Sequence, residues 1–203
     1  MSRLTDVAGP NVAGLALSGG RSDLVEERVD GNQLYDGRII RLRVDRVRLP
    51  GGRIVSREVI EHRPAVVVLA ENKAGEVLLI DQFRYPANEV LIELPAGIVE
   101  DGEEYEAAAI RELQEETGWR PGSVTKVAEF FSSPGFTSEL LVLFYASGLS
   151  ASKLPEDEDE LIIPRFESES AVEELLSAGA IRDGKTLFGL YWWLHGRKTG
   201  KIG

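Results

Sequence analysis

The chain has 203 residues, 23 Lys and Arg against 34 Asp and Glu, and a formal net charge of −11. With 43% hydrophobic and 28% charged residues it has enough apolar surface for a folded core, so disorder is excluded as its main state. The acidity also excludes nucleic acid and anionic membrane as electrostatic partners, and the absence of cysteine excludes disulfides, thiolate metal sites and a Cys nucleophile.

The charge is not spread evenly. Residues 98–116 hold eight acids and one Arg, and residues 156–160 read EDEDE, so these two runs total −12 and the other 179 residues sum to +1. Residues 1–63 alone carry 11 Arg and 9 acids. Each acidic run therefore needs its own explanation.

In chain order, residues 1–23 read as a flexible tail rather than a signal peptide, because no basic start precedes a compact apolar stretch. Cysteine-free composition suits a reducing cytoplasm, the expected compartment. Residues 24–62 are strand-like: from Ile39 to Leu49 apolar residues alternate with Arg and Asp, then Pro50, Gly51 and Gly52 make a turn, and 53–61 resumes extended structure. Residues 66–70 and 77–80 flank a turn at 72–75 and read as a hairpin. A short strand is expected at 90–94. A helix is expected over 103–117, free of Gly and Pro and stopped by Gly118. Strands at 124–131 and 140–146 enclose a Gly- and Pro-containing loop, 132–139. The stretch 150–160 reads as a polar connection, with EDEDE solvated in it. A strand at 161–166 and helices at 171–177 and 185–195 complete the chain. Trp192 and Trp193, with Leu187, Leu190 and Leu194, read as a helix packed on the core. The order suggests an α/β/α sandwich around a mixed sheet, with residues 24–62 as a small antiparallel β subdomain ahead of a main domain of 63–203.

Chemistry concentrates in the helix of 103–117. Glu112, Glu115 and Glu116 share one helical face. Like charges four apart destabilise a helix by a few tenths of a kcal/mol, and anions near a helix C-terminus oppose the macrodipole. Acids placed there for stability make no sense; a divalent cation reverses both penalties. Oxygen donors without His or Cys point to a hard ion, Mg²⁺ or Mn²⁺. A bare E-x-x-E-E is more often a solvated face, but the wider spacing G-x5-E-x7-R-E-U-x-E-E-x-G-U (U a bulky apolar residue) is met at Gly97, Glu103, Arg111, Glu112, Leu113, Glu115, Glu116, Gly118 and Trp119.

This pattern resembles the Nudix box, the signature of hydrolases that cleave nucleoside diphosphates linked to another moiety. Trp119 departs mildly, since the family more often has an aliphatic residue there. The resemblance implies the Nudix fold and a divalent ion, Mg²⁺ with Mn²⁺ able to substitute, held by Glu112 and Glu116 with Glu115 close by and the Ala96 carbonyl as a further ligand. It implies that Arg111 orients the carboxylates, Gly97 lets the loop before the helix turn tightly, and Glu103 holds loop to helix.

The loop S-P-G-F-T-S-E at 133–139, the segment Glu93 to Gly97, and the run 82–86 around Arg84 look like the ADP-ribose pyrophosphatase branch. That branch implies cleavage of ADP-ribose to AMP and ribose 5-phosphate, and N-terminal strands exchanged in a homodimer. Glu139 is then the general base, or a further metal-linked carboxylate, on a mobile loop, Arg84 meets a phosphate or the terminal ribose, and Arg57 and Glu61 reach the adenine or phosphates, across the dimer if the strands are exchanged. Pro134, Gly135 and Phe136 line the substrate, and Tyr35 is the candidate for base stacking. The alternatives are another nucleoside diphosphate sugar, such as ADP-glucose or GDP-mannose, and a non-catalytic Nudix-like sensor. The substrate is a small molecule in either enzymatic reading. His62 and His195 read as solvated or packed rather than as ligands.

Overall fold

The computed structural model describes residues 21–152, 154 and 161–202. The expected tail over 1–20 and the EDEDE run lie outside the described residues. After a 3-10 turn at Ser22–Leu24, strands β1 (Glu27–Asp36), β2 (Ile40–Arg48) and β3 (Ile54–His62) form an antiparallel sheet. Strands β4 (Ala65–Ala70), β5 (Val77–Arg84), β6 (Glu89–Glu93) and β7 (Ala96–Ile98) lead into helix α1 (Tyr105–Thr117). Then come β8 (Trp119–Arg120), β9 (Ser123–Phe131), β10 (Leu140–Ser147), β11 (Ser150–Ala151) and β12 (Ile162–Glu167), and helices α2 (Glu169–Ser177) and α3 (Gly184–Lys198).

The main domain is built on a mixed sheet of order β7-β4-β10-β9, in which β4 and β10 run parallel, and an antiparallel sheet β12-β5-β6. Every residue of β4 is buried. Its alternate side chains feed two cores. Val67 and Leu69 pack with Leu143, Leu190 and Trp193 on the α3 side. Val66, Val68 and Ala70 pack with Ala108, Ala109 and Leu113 of α1. A strand buried on both faces reads as a continuous apolar run, which is how β4 appears in the sequence. Trp119, the residue departing from the box pattern, sits edge-on against Phe166 at 5.5 Å between ring centroids and joins the α1-side core.

The hairpin expected at residues 66–80 is corrected. The turn is present, held by Asn72 Oδ1 accepting from the Ala74 and Glu76 N–H groups at 2.8 and 3.0 Å. However, the strands share only a bridge between Glu71 and Val77, then diverge into separate sheets. Each apolar strand gains two partners that way: β7 and β10 for β4, β6 and β12 for β5.

Helix α1 starts at Tyr105, two residues later than expected, because the Glu103 carboxylate is already engaged in the preceding turn. It ends where the sequence requires: Gly118 is left-handed (φ 74°) and its N–H bonds the Gln114 carbonyl. Helix α3 is capped by Asp183, which accepts from the Thr186 N–H at 3.0 Å. Among the described residues no helix is long and apolar enough to cross a membrane.

Candidate active site

The end of β7 and the face of α1 meet at Gly97. Its expected role in a tight turn is corrected. Gly97 lies within β7, paired with Val66, and needs no left-handed backbone. It is a glycine for space: a Cβ there would overlap the carboxyl group of Glu112. The sharp turn before the helix is made by Gly102 instead (φ 81°).

Ala96 precedes Gly97 on the edge strand. Val68 and Val99 donate to the carbonyls of Pro95 and Pro64 at 2.8 and 3.0 Å, so the ladder bonds of β7 fall at alternate positions. The polar groups of Ala96 therefore point away from β4. Its N–H donates to Glu116 Oε2 at 3.0 Å. Its carbonyl shares that side of the strand.

Arg111 is the hub of the box. Its Nε and Nη2 grip Glu103 at 2.9 Å each, and its Nη1 donates to Glu112 at 2.8 Å and to Glu115 at 2.9 Å. Nη2 also reaches the Ile98 carbonyl at 3.2 Å. Glu103 in turn accepts from the Glu100 N–H at 2.9 Å. One guanidinium thus ties the loop, β7 and two box carboxylates together. The bidentate bond to Arg111 holds the Glu103 carboxyl below the usual range, and Arg111 itself is pushed up by the same contact.

Arg111 and Glu112, with the end of β7, line a pocket of about 620 Å³, the size of a small-molecule site. Ala96, Gly97, Glu112 and Glu116 form one wall, and Glu139 lines the same pocket. Glu115 is held by Arg111 outside that lining. The loop bearing Glu139 is anchored: Ile60 of β3 exchanges hydrogen bonds with Phe136 and Ser138 at 2.7 and 3.0 Å, and the His62 N–H donates to Ser138 Oγ at 3.1 Å. His62, read as a bystander, is in the pocket with Nδ1 3.8 Å from Glu139 Oε1. Pro134, Gly135 and Phe136 do not reach this lining, and Phe136 is exposed.

Arg84 lines the pocket with two of its nitrogens committed to Glu93, Nε and Nη2 each at 2.8 Å. The salt-bridge and pocket readings of Arg84 therefore both hold geometrically. Glu93 is fully buried; burial pushes its carboxyl up, but Arg84 and Lys185 outweigh that and keep it below the usual range. Arg57 and Glu61 are not brought into this pocket: Arg57 pairs with Glu26 at 2.5 Å, and Glu61 with Arg43. Tyr35 is likewise outside it, exposed on β1.

The pocket's charge is not that of the box alone. Five carboxylates line it (Glu100, Glu112, Glu116, Glu139, Asp183), and so do five cations: Arg38, Arg63, Arg84, Arg111 and Lys185. Sequence reasoning missed Lys185 and Asp183 because they arrive from α3, some 70 residues beyond the box. Among the described residues no three acidic or imidazole groups converge as a closed ion cage. The donor set nevertheless fits a hard divalent ion. It is all oxygen, the Ala96 carbonyl lies off the ladder, and Gly97 leaves the Glu112 carboxyl the room it occupies.

A larger groove of about 990 Å³ opens at the other end of β4, around Glu71. Its polar floor is closed on itself: Glu71 accepts from Tyr145, Trp193 and Arg197 at 3.0, 2.8 and 2.8 Å. Burial and the Glu71 contact push the Tyr145 hydroxyl up to about 12. That arrangement clamps α3 to the sheet and offers no chemistry.

Two family models match the chain: the NUDIX domain over residues 61–187, and the nucleoside diphosphate sugar hydrolase N-terminal domain over 26–60. An ADP-ribose pyrophosphatase of Bacillus subtilis (strain 168) is 37% identical over 172 residues, covering 83% of this chain and 92% of that protein. A GDP-mannose pyrophosphatase of Yersinia enterocolitica is 35% identical, covering 69% of this chain and 78% of its own length. A crystal structure of an ADP compounds hydrolase has the same fold, with a TM-score of 0.76 at 19% identity, covering 85% of this chain and 95% of that one. Hydrolases of this kind generally use divalent metal ions. With its box residues assembled around one pocket, the chain belongs to the Nudix family and is a Nudix hydrolase.

Proposed function

We propose that this enzyme hydrolyses the diphosphate of ADP-ribose to AMP and ribose 5-phosphate, with Mg²⁺ as its ion and Mn²⁺ able to substitute. The observation that carries the reading is the convergence of Glu112, Glu116, Arg84 and Glu139 on one pocket. The 37% identical ADP-ribose pyrophosphatase supports the substrate.

Glu112, Glu116 and the Ala96 carbonyl would hold the ion, with Glu115 beside them. Bound there, it supplies neutralisation of the diphosphate and a lowered pKa for water. Arg111 keeps the carboxylates aimed. Arg84 offers the substrate Nη1, which has no hydrogen-bond partner among the described residues. The Glu139 carboxylate takes the proton of the attacking water, and the anchored loop fixes where it stands. Pro134, Gly135 and Phe136, on the loop that carries Glu139, would border the part of the sugar that extends beyond the pocket lining.

Gly97→Ala isolates the ligand geometry. The added methyl displaces the flexible end of Glu112 rather than backbone, so thermal stability is expected to change by no more than about 1 kcal/mol. Turnover should fall about 100-fold, because misplacing a reacting group by about 1 Å costs that much. Calorimetric melting and kcat measured on the same preparation check both halves.

A homodimer is part of the proposal, with residues 24–62 as the exchanged β subdomain ahead of a hydrolase domain of 63–203. In its support, β1 leaves Leu34 and Tyr35 exposed and β3 leaves Ile54 exposed. Exchange would also place Arg57 and Glu61 at a partner's site. A solution mass of one 22.3 kDa chain by light scattering would remove this part.

The GDP-mannose pyrophosphatase relative favours a second substrate reading. Comparing kcat/KM for ADP-ribose, ADP-glucose and GDP-mannose separates the two. The proposal expects ADP-ribose to lead; a preference for GDP-mannose with GMP release sinks it.

A further inference from the structure

We propose that Lys185 is a positioning residue that keeps Arg84 available to the anionic substrate by sharing the buried Glu93 carboxylate with it. The proposal rests on the reading of the pocket as a diphosphate site.

Lys185 stands in the first turn of α3, at the positive end of the helix dipole, where a cation is disfavoured. Helix stability does not explain it. Its side chain is 12% exposed, and its ammonium contacts both Glu93 and Asp183, the latter at 3.0 Å. Glu93 Oε2 accepts from Lys185 and from Arg84 Nη2 together. Asp183 is divided between Lys185 and the Thr186 N–H and hydroxyl, at 3.0 and 2.6 Å. The Thr186 hydroxyl also accepts from the Leu94 N–H at 2.8 Å, so the turn bearing Lys185 is bolted to the residue after Glu93. The position of Lys185 against Glu93 is thus fixed by the bond from the Leu94 N–H to the Thr186 hydroxyl.

The charge arithmetic gives this a function. Glu93 carries one negative charge and faces two cations. While Lys185 takes part of that charge, the Arg84 guanidinium still presents positive potential to the pocket. Without Lys185, Glu93 bears on Arg84 alone, the pair becomes neutral, and Asp183 loses its cation. The pocket wall is then one unit more negative, facing a substrate that is itself an anion.

The test uses Lys185→Met and Lys185→Arg in the full-length enzyme. It reads KM and kcat for ADP-ribose, and calorimetric binding of the non-hydrolysable α,β-methylene analogue with Mg²⁺. Lys185→Met should raise both KM and the analogue's Kd about tenfold or more, with kcat within about threefold, the signature of lost binding. Lys185→Arg, which restores the charge, should return both to within about threefold of wild type. A purely structural lysine would lower the melting temperature and leave KM and Kd alone; that result, or an Arg variant as poor as the Met variant, overturns the proposal. Should Lys185→Met not fold, Lys185→Gln keeps a donor to Glu93 without the charge and is read the same way. Failure of the functional reading is visible separately, in a wild type that neither hydrolyses ADP-ribose nor binds the analogue, and removes this proposal with it.

Discussion

Glu116→Gln is expected to lower hydrolysis by about 100-fold or more while leaving the fold as stable as before or slightly more so. The two halves have separate causes. Glu116 is buried and accepts from the Ala96 N–H, and the amide oxygen of Gln can accept the same bond in the same volume. Removing one of three acids from the last turns of α1 relieves like-charge repulsion and an unfavourable dipole contact, a few tenths of a kcal/mol. The activity loss comes from replacing an anionic oxygen by a neutral one where a divalent ion must be held. Such an ion contributes several kcal/mol of transition-state stabilisation, and each 1.36 kcal/mol is a factor of ten. Melting temperature and turnover moving in opposite directions would separate a ligand from a structural carboxylate. Turnover near the wild-type level would show that Glu116 is not a ligand.

Glu139→Gln should lower kcat by about 10²–10⁴-fold with little change in KM, the range a general base contributes. The loop should survive the change, because its anchors are elsewhere. Ser132 donates to the Glu139 carbonyl, Thr137 Oγ1 accepts from the Glu139 N–H, and Ile60 bonds Phe136 and Ser138. Among the described residues the Glu139 side chain contributes only the 3.8 Å approach to His62. A loss below about tenfold would take the base role from Glu139 and turn attention to the other pocket groups.

The site was legible where its residues are local and opaque where they are brought together from afar. The box lies within 23 residues, and its period places three carboxylates on one helix face without knowledge of the fold. That Arg111 orients the box carboxylates and Glu103 holds loop to helix is what the resemblance implies; that one guanidinium does both, gripping Glu103 from outside the helix, is visible only in the fold. Strand β4 was readable because a doubly buried strand is an unbroken apolar run. Its partner choice was not, since a turn at 72–75 is equally compatible with a hairpin and with divergence into two sheets. Gly97 shows a related limit. The sequence marks that a glycine is needed, but whether for backbone conformation or for space depends on a side chain 15 positions away. Lys185, Asp183 and His62 join the pocket only through the packing of α3 and the β3 end against the sheet, and no local pattern marks them. The net charge is the clearest case. The box contributes −7, yet the pocket it lines holds as many cations as carboxylates. Besides Arg111 of the box itself, the acids share the pocket with Arg38, Arg63, Arg84 and Lys185 from other parts of the chain.

The most direct measurement is product analysis of purified enzyme with ADP-ribose, with Mg²⁺ and with a chelator. The account predicts AMP and ribose 5-phosphate in equal amounts, with turnover abolished by the chelator and restored by added Mg²⁺. Undiminished cleavage in the chelator, or no cleavage of ADP-ribose with Mg²⁺ present, would contradict it.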